Sequence, residues 1–194
     1  MASTIEQLRQ LGLDLSDAVL ESISNELNCD VQSLSATDLL LGLGMGDYDY
    51  DTGKWAARSN KVYAFDAEIF DVENMYSLFL QGVQSIVPDI TITDVQEDLS
   101  GMTEEMTESE NPDLPPSDGK RSVRFLCNGH EYSILLDSYG DWFNEKMFDF
   151  MDQVLEKENC PGRLYQFSAA GQYVIMIYGT EEKAQKLMPM IEMY

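Results

Sequence analysis

The sequence predicts an α+β protein, with an antiparallel or mixed sheet, helices packed on it, and a short helical segment in front. Three observations carry this. Residues 1–45 repeat apolar side chains at helical spacing, as Val19, Ile23 and Leu27 do. From Lys61 onward, strand-like apolar runs take turns with helical ones. Asn128-Gly129 sits between two such runs and is a strong signal for a two-residue hairpin turn. The organisation that follows is a helical N-terminal segment over 1–45 and an α+β domain over 46–194, with an acidic loop at 98–121.

Taken in order, Ser3 and Glu6 form a capping box for a short helix with Ile5, Leu8 and Leu11 on one side, ended by Gly12. A second helix runs from about Ser16 to Asn28, and a third begins at Ser35, with Asp38 three residues on and Leu39, Leu40 and Leu41 following. Helices this short depend on tertiary packing. Gly42 to Gly46 then read as a flexible joint, since no strand precedes them and no Gly-Lys-Ser follows to make a phosphate loop. Asp47 to Trp55 predicts a small hairpin around Thr52-Gly53. Val62 to Ile69 alternates as a strand. Asp71 caps a helix with Tyr76, Phe79, Val83 and Ile86 on one face, and Ile90, Ile92 and Val95 suggest another strand.

Residues 98–119 are acidic, carry Pro112, Pro115 and Pro116, and read as a solvated loop. In the hairpin at Asn128-Gly129, Val123 faces Ile134, Phe125 faces Tyr132 and Cys127 faces His130. Asp141 is expected to cap a longer helix with Phe143, Met147, Phe150, Met151 and Val154 inward, and Trp142 to belong to the core. Leu164 to Phe167 and Tyr173 to Tyr178 form a second hairpin. The latter strand is apolar on both faces and therefore central, and Thr180 caps a last helix through Leu187. Beyond the joint the order is β-α-β, then β-β-α-β-β-α.

The charge bounds the function. Thirty-five acids oppose twelve bases, a net charge of −23. A chain with so few cations is poorly equipped to neutralise a phosphate backbone or to sit on an anionic membrane surface, which argues against direct binding to either. A basic protein partner is favoured instead. Cys29, Cys127 and Cys160 are too few and too scattered for a disulfide framework, and no Cys-x-x-Cys is present. The first residues do not look like a secretory leader and no apolar run reaches membrane-spanning length, so a cytoplasmic location is expected.

Four constellations invite a chemical reading. Asp47, Asp49 and Asp51 have the spacing that opens an EF-hand calcium loop, but Thr52 stands where that loop needs glycine and Arg58 where it needs glutamate. Asp66 and Glu68, on one face of a strand, are the residue types of a metal-dependent hydrolase, though no lysine follows close by. Cys127 and His130 face each other at a hairpin tip, where a nucleophile would find little enclosure. Tyr48, Tyr50 and Trp55 beside acids are types that dominate binding hot spots. The expected partner-binding residues are Asp47, Tyr48, Asp49, Tyr50, Asp51, Trp55, Asp66 and Glu68, with no catalytic residue, cofactor or metal.

The stretch from Lys61 to Tyr76, the run Gly140 to Asn144 and the strand following Gly171 resemble a family of small acidic bacterial proteins, similar in character to immunity proteins of contact-dependent and polymorphic toxin systems. The resemblance covers the layout of about residues 40–180. It implies a binding role without chemistry and assigns no functional residue. The expected function is a non-enzymatic protein-binding module, of which an immunity-type inhibitor of a basic partner is one form. The alternatives are a nucleic-acid mimic that inhibits a DNA-binding enzyme, and a metal-dependent hydrolase.

Overall fold

The computed structural model describes residues 2–49, 51–107, 116–169 and 171–192, with the backbone alone for 104–107. The α+β class holds. The described helices are α1 (Thr4–Gln10), α2 (Asp17–Leu27), α3 (Ala36–Gly44), α4 (Met75–Ile86), α5 (Lys146–Lys157) and α6 (Glu181–Leu187). The strands are β1 (Asp47–Asp49), β2 (Lys54–Ala56), β3 (Val62–Asp66), β4 (Ile92–Thr107), β5 (Ser117–Cys127), β6 (His130–Ser138), β7 (Arg163–Ala169) and β8 (Tyr173–Gly179). The described strands form three antiparallel sheets, ordered β1-β2, β3-β8-β7 and β4-β5-β6.

The chain divides into two compact units. One gathers Met1–Asp66, Ser85–Pro88 and Gly162–Tyr194; the other Ala67–Gln84 and Asp89–Pro161. In the first, Ser3, Ser16 and Ser35 cap α1, α2 and α3 with their hydroxyls, and Ser3 and Ser35 complete reciprocal capping boxes with Glu6 and Asp38. The apolar stripes of these helices do not form a separate body. Leu8, Leu39, Leu40 and Leu43 share one buried cluster with Val62 and Ala64 of β3, Ile175 and Ile177 of β8, and Leu187 of α6. The helical segment that the sequence sets apart at residue 45 therefore has the interior of the C-terminal sheet as its own.

The glycine joint is corrected by the structure. α3 continues through Gly42 to Gly44, and at these positions the helix lies close against Ile23 of α2 and Ala64 of β3. A Cβ on Gly44 would lie 2.7 Å from the Ala64 nitrogen, and one on Gly42 2.9 Å from Ile23. Close packing, not flexibility, is the reason for glycine there. The central place of β8 follows the expectation, with its middle residues buried between β3 and β7.

In the second unit the β5–β6 register is the predicted one, with Val123 opposite Ile134, Phe125 opposite Tyr132 and Cys127 opposite His130. Other expectations fail. The stretch read as a loop from 98 to 119 is strand up to Thr107 and again from Ser117, and its remainder at 108–115 lies outside the described residues. Strand pairing with β5 satisfies its backbone despite its polar composition, and the register breaks three times, as is common in an edge strand. Asp141 does not cap α5, which starts at Lys146. Its carbonyl instead accepts from the Ile69 N–H at 2.7 Å. An aromatic group of Tyr76, Phe79, Phe143 and Phe148, with ring centroids 4.9–5.8 Å apart, fills the interior of this unit.

Arg121 of β5 and Glu97 of β4 form an ion pair inside the same unit, their side chains 2% and 3% exposed. The Arg121 Nη1 donates to the Val72 carbonyl at 2.6 Å and to Glu97 at 3.2 Å, and the guanidinium lies over the Tyr76 ring. Glu97 also accepts from the N–H and hydroxyl of Ser77. Burial nonetheless outweighs these donors and pushes the Glu97 carboxyl above its usual range. Removing one partner strands the other charge, so Arg121→Met is expected to cost about 3–5 kcal/mol, and the double variant with Glu97→Leu to lose much less than the two single losses combined. Urea unfolding of the three variants measures this.

Candidate functional site

The acidic hairpin forms as predicted, with Asp47 opposite Ala56, Tyr48 opposite Trp55 and Asp49 opposite Lys54. What its side chains do is largely internal. The Asp49 carboxylate accepts from the Thr52 hydroxyl at 2.7 Å and from the N–H groups of Asp51 and Thr52, which hold its pKa below the usual range. It closes its own turn, in the manner of an Asx turn. Asp47 accepts from Arg58 at 2.5 Å. The same guanidinium donates to Glu26 of α2 and to the Gly42 carbonyl of α3. Although burial works against its charge, the hydrogen bonds to Asp47 and Glu26 hold the Arg58 pKa above its ordinary value. Arg58, which spoils the calcium pattern, thus ties the hairpin to two helices.

Trp55 is half-buried. Its indole N–H donates to the Met45 carbonyl at 2.7 Å, its ring meets Tyr63 edge-on, and Gly46, at φ +70°, leaves the space it occupies. Tyr48 is half-buried and Asp51 is exposed, while Tyr50 lies outside the described residues. Among the described residues, no group of three or more His, Cys, Asp or Glu converges as a set of metal ligands.

The pair Asp66 and Glu68 does not share a strand face. β3 stops at Asp66, and Glu68 belongs to the other unit, where it forms an isolated antiparallel bridge with Trp142.

At the tip of the β5–β6 hairpin, the Glu158 carboxylate at the end of α5 gathers three donors. Tyr132 Oη lies 2.5 Å from it, Asn128 Nδ2 3.1 Å, and His130 Nδ1 2.9 Å. The Tyr132 hydroxyl is the largest influence and holds the Glu158 pKa below its usual range. Cys127 faces His130 across the ladder but is buried, and burial, reinforced by Glu158, pushes its thiol up to about 11. A protonated thiol, with the imidazole turned to a carboxylate, lacks the arrangement of a cysteine nucleophile.

The feature that sequence reading missed lies at Ala67–Phe70 and Asp141–Phe143. Ile69 N–H donates to the Asp141 carbonyl at 2.7 Å and Phe143 N–H to the Ala67 carbonyl at 2.8 Å. These bonds flank Glu68 and Trp142 and make them a non-hydrogen-bonded antiparallel pair, the geometry that brings opposed side chains closest on one face. Trp142 is 44% exposed, and Phe70, two residues after Glu68 in the chain, 92%. Trp142, expected in the core, stands outward because α5 begins after it; Phe143 takes the inward place. The acids beside two adjacent-segment aromatics were visible in the sequence, but the pairing of residues so far apart was not.

Compared with protein-family models, with curated proteins and with solved structures, the chain shows no match. No helix among the described residues is long and apolar enough to cross a membrane.

Two outcomes test these geometries. Glu158 has a folded pKa below its ordinary 4.5, so its deprotonated form favours the fold. That stability is complete above the unfolded value and is lost as pH falls through the folded one. Glu158→Gln is expected to flatten the drop in urea midpoint on acidification below pH 4.5. Trp55→Phe keeps a ring and removes the bond to Met45, and is expected to cost about 1 kcal/mol in the same assay.

Proposed function

We propose that the chain is a non-enzymatic protein-binding module that takes a basic protein partner in the cytoplasm, in the manner of an immunity-type inhibitor. The observation that carries the reading is the use of charge in the fold. Arg58, Arg121, Lys120 and Lys146 are each committed to carboxylates within the protein, Arg58 to two of them, while Asp137 takes two lysines. Thirty-five acids against twelve bases then leave a surface rich in carboxylates that includes Glu21, Asp30, Asp51, Asp94 and Asp141. Such a surface attracts a cationic protein from a distance and repels polyanions. The internal duties of Asp49, Glu97 and Glu158, and the protonated state of Cys127, support binding rather than catalysis.

The test is affinity capture with the full chain, followed by association kinetics of the recovered partner at several salt concentrations. The expected partner has a high isoelectric point, and its association rate falls at least about tenfold between low and physiological ionic strength. A partner of acidic or neutral charge, with a rate indifferent to salt, overturns the reading.

A further inference from the structure

We infer that the ribbon of Ala67–Phe70 and Asp141–Phe143 is the anchoring point for an arginine-bearing segment of a basic protein. The inference rests on the reading of the chain as a binder of basic partners, and it specifies where that binder grips. An exposed indole stands directly opposite the Glu68 carboxylate in the backbone pairing, and an exposed phenyl ring, Phe70, follows Glu68 by two residues in the chain. The segments 67–74 and 139–145 add Asp71, Glu73, Asp141 and Glu145 to Glu68 and contain no base. Asp71 is committed to capping the turn at Asn74, whereas Glu73, Asp141 and Glu145 are exposed. Aromatic faces attract cations, and tryptophan does so most strongly. A guanidinium is planar, stacks on an indole and offers a fork of donors to a carboxylate beside it, a match that a lysine ammonium does not provide.

A second copy of the chain is the other candidate occupant, since exposed aromatics also serve self-association. Charge decides against it. Two copies meeting through this face would oppose carboxylates to carboxylates in a protein that already carries −23.

The probe is a blocked peptide alternating glycine and arginine, titrated into the full-length protein at low salt, with the same peptide built on lysine as the comparison. The two tryptophan indole N–H resonances of the 15N-labelled protein report the location, assigned with Trp142→Phe. Binding is expected to move the Trp142 indole and leave that of Trp55 in place. Phe70→Ala, at a position too exposed to disturb folding, and Trp142→Ala are each expected to weaken the arginine peptide about tenfold. The lysine peptide binds more weakly than the arginine peptide to the wild type and loses less on either substitution. Three outcomes overturn the assignment. They are equal affinity of the wild type and both variants, a shift confined to the Trp55 indole, and a dimer in sedimentation that Phe70→Ala converts to monomer. In the first two the basic-partner reading survives at another surface, while its own failure shows separately, as an acidic or salt-indifferent captured partner.

Discussion

In each unit of this protein a largely buried arginine is held by carboxylates and backbone carbonyls, Arg58 by two carboxylates and Arg121 by one, and each ties several elements together. Arg58 joins Glu26, Gly42 and Asp47, so a helix, the end of the next helix and the first strand are held by one planar group. Arg121 joins Glu97 and Val72 and lies on Tyr76. A guanidinium is suited to this because it stays charged when buried and presents several donors in fixed directions. In a chain with twelve bases, placing two of them inside is also a decision about the outside, since each leaves fewer cations to neutralise the surface.

The acids fall into two kinds. Asp49, Glu97, Asp137 and Glu158 are occupied by hydroxyls, amides or cations of the fold, and their removal is a matter of stability. Others stand in water with no structural duty of that kind, as at Asp51 and Asp141. The same distinction applies to the aromatics. Trp55 is held by Met45 and Tyr63, whereas Phe70 meets almost nothing. Composition treats both groups alike. The distinction between a packed tryptophan and an available one depends on which backbone carbonyl or ring the fold brings beside it.

Local signals were legible. Serines at three helix starts, Asn28 in the left-handed region after α2, and Asn128-Gly129 at a hairpin each act through neighbours a few residues away, which a sequence displays directly. The true character of Gly42–Gly44 is hidden in the sequence, because a helix glycine that admits Ala64 and Ile23 looks the same there as one that breaks the helix. The strand β4 has the composition of a loop, because its partner β5, not its own side chains, supplies its hydrogen bonds.

By itself the sequence determined the class, the order of elements, the β5–β6 register and the surplus of negative charge, because these follow from periodicity, turn chemistry and counting. The tertiary structure alone decided which candidate residues belong together. It ended β3 at Asp66, before Glu68, packed Trp55 against Met45 and Tyr63, and set Trp142 against Glu68 across a gap of more than seventy residues. Such pairings arise from backbone hydrogen bonds between distant segments, whose partners nothing in either segment names.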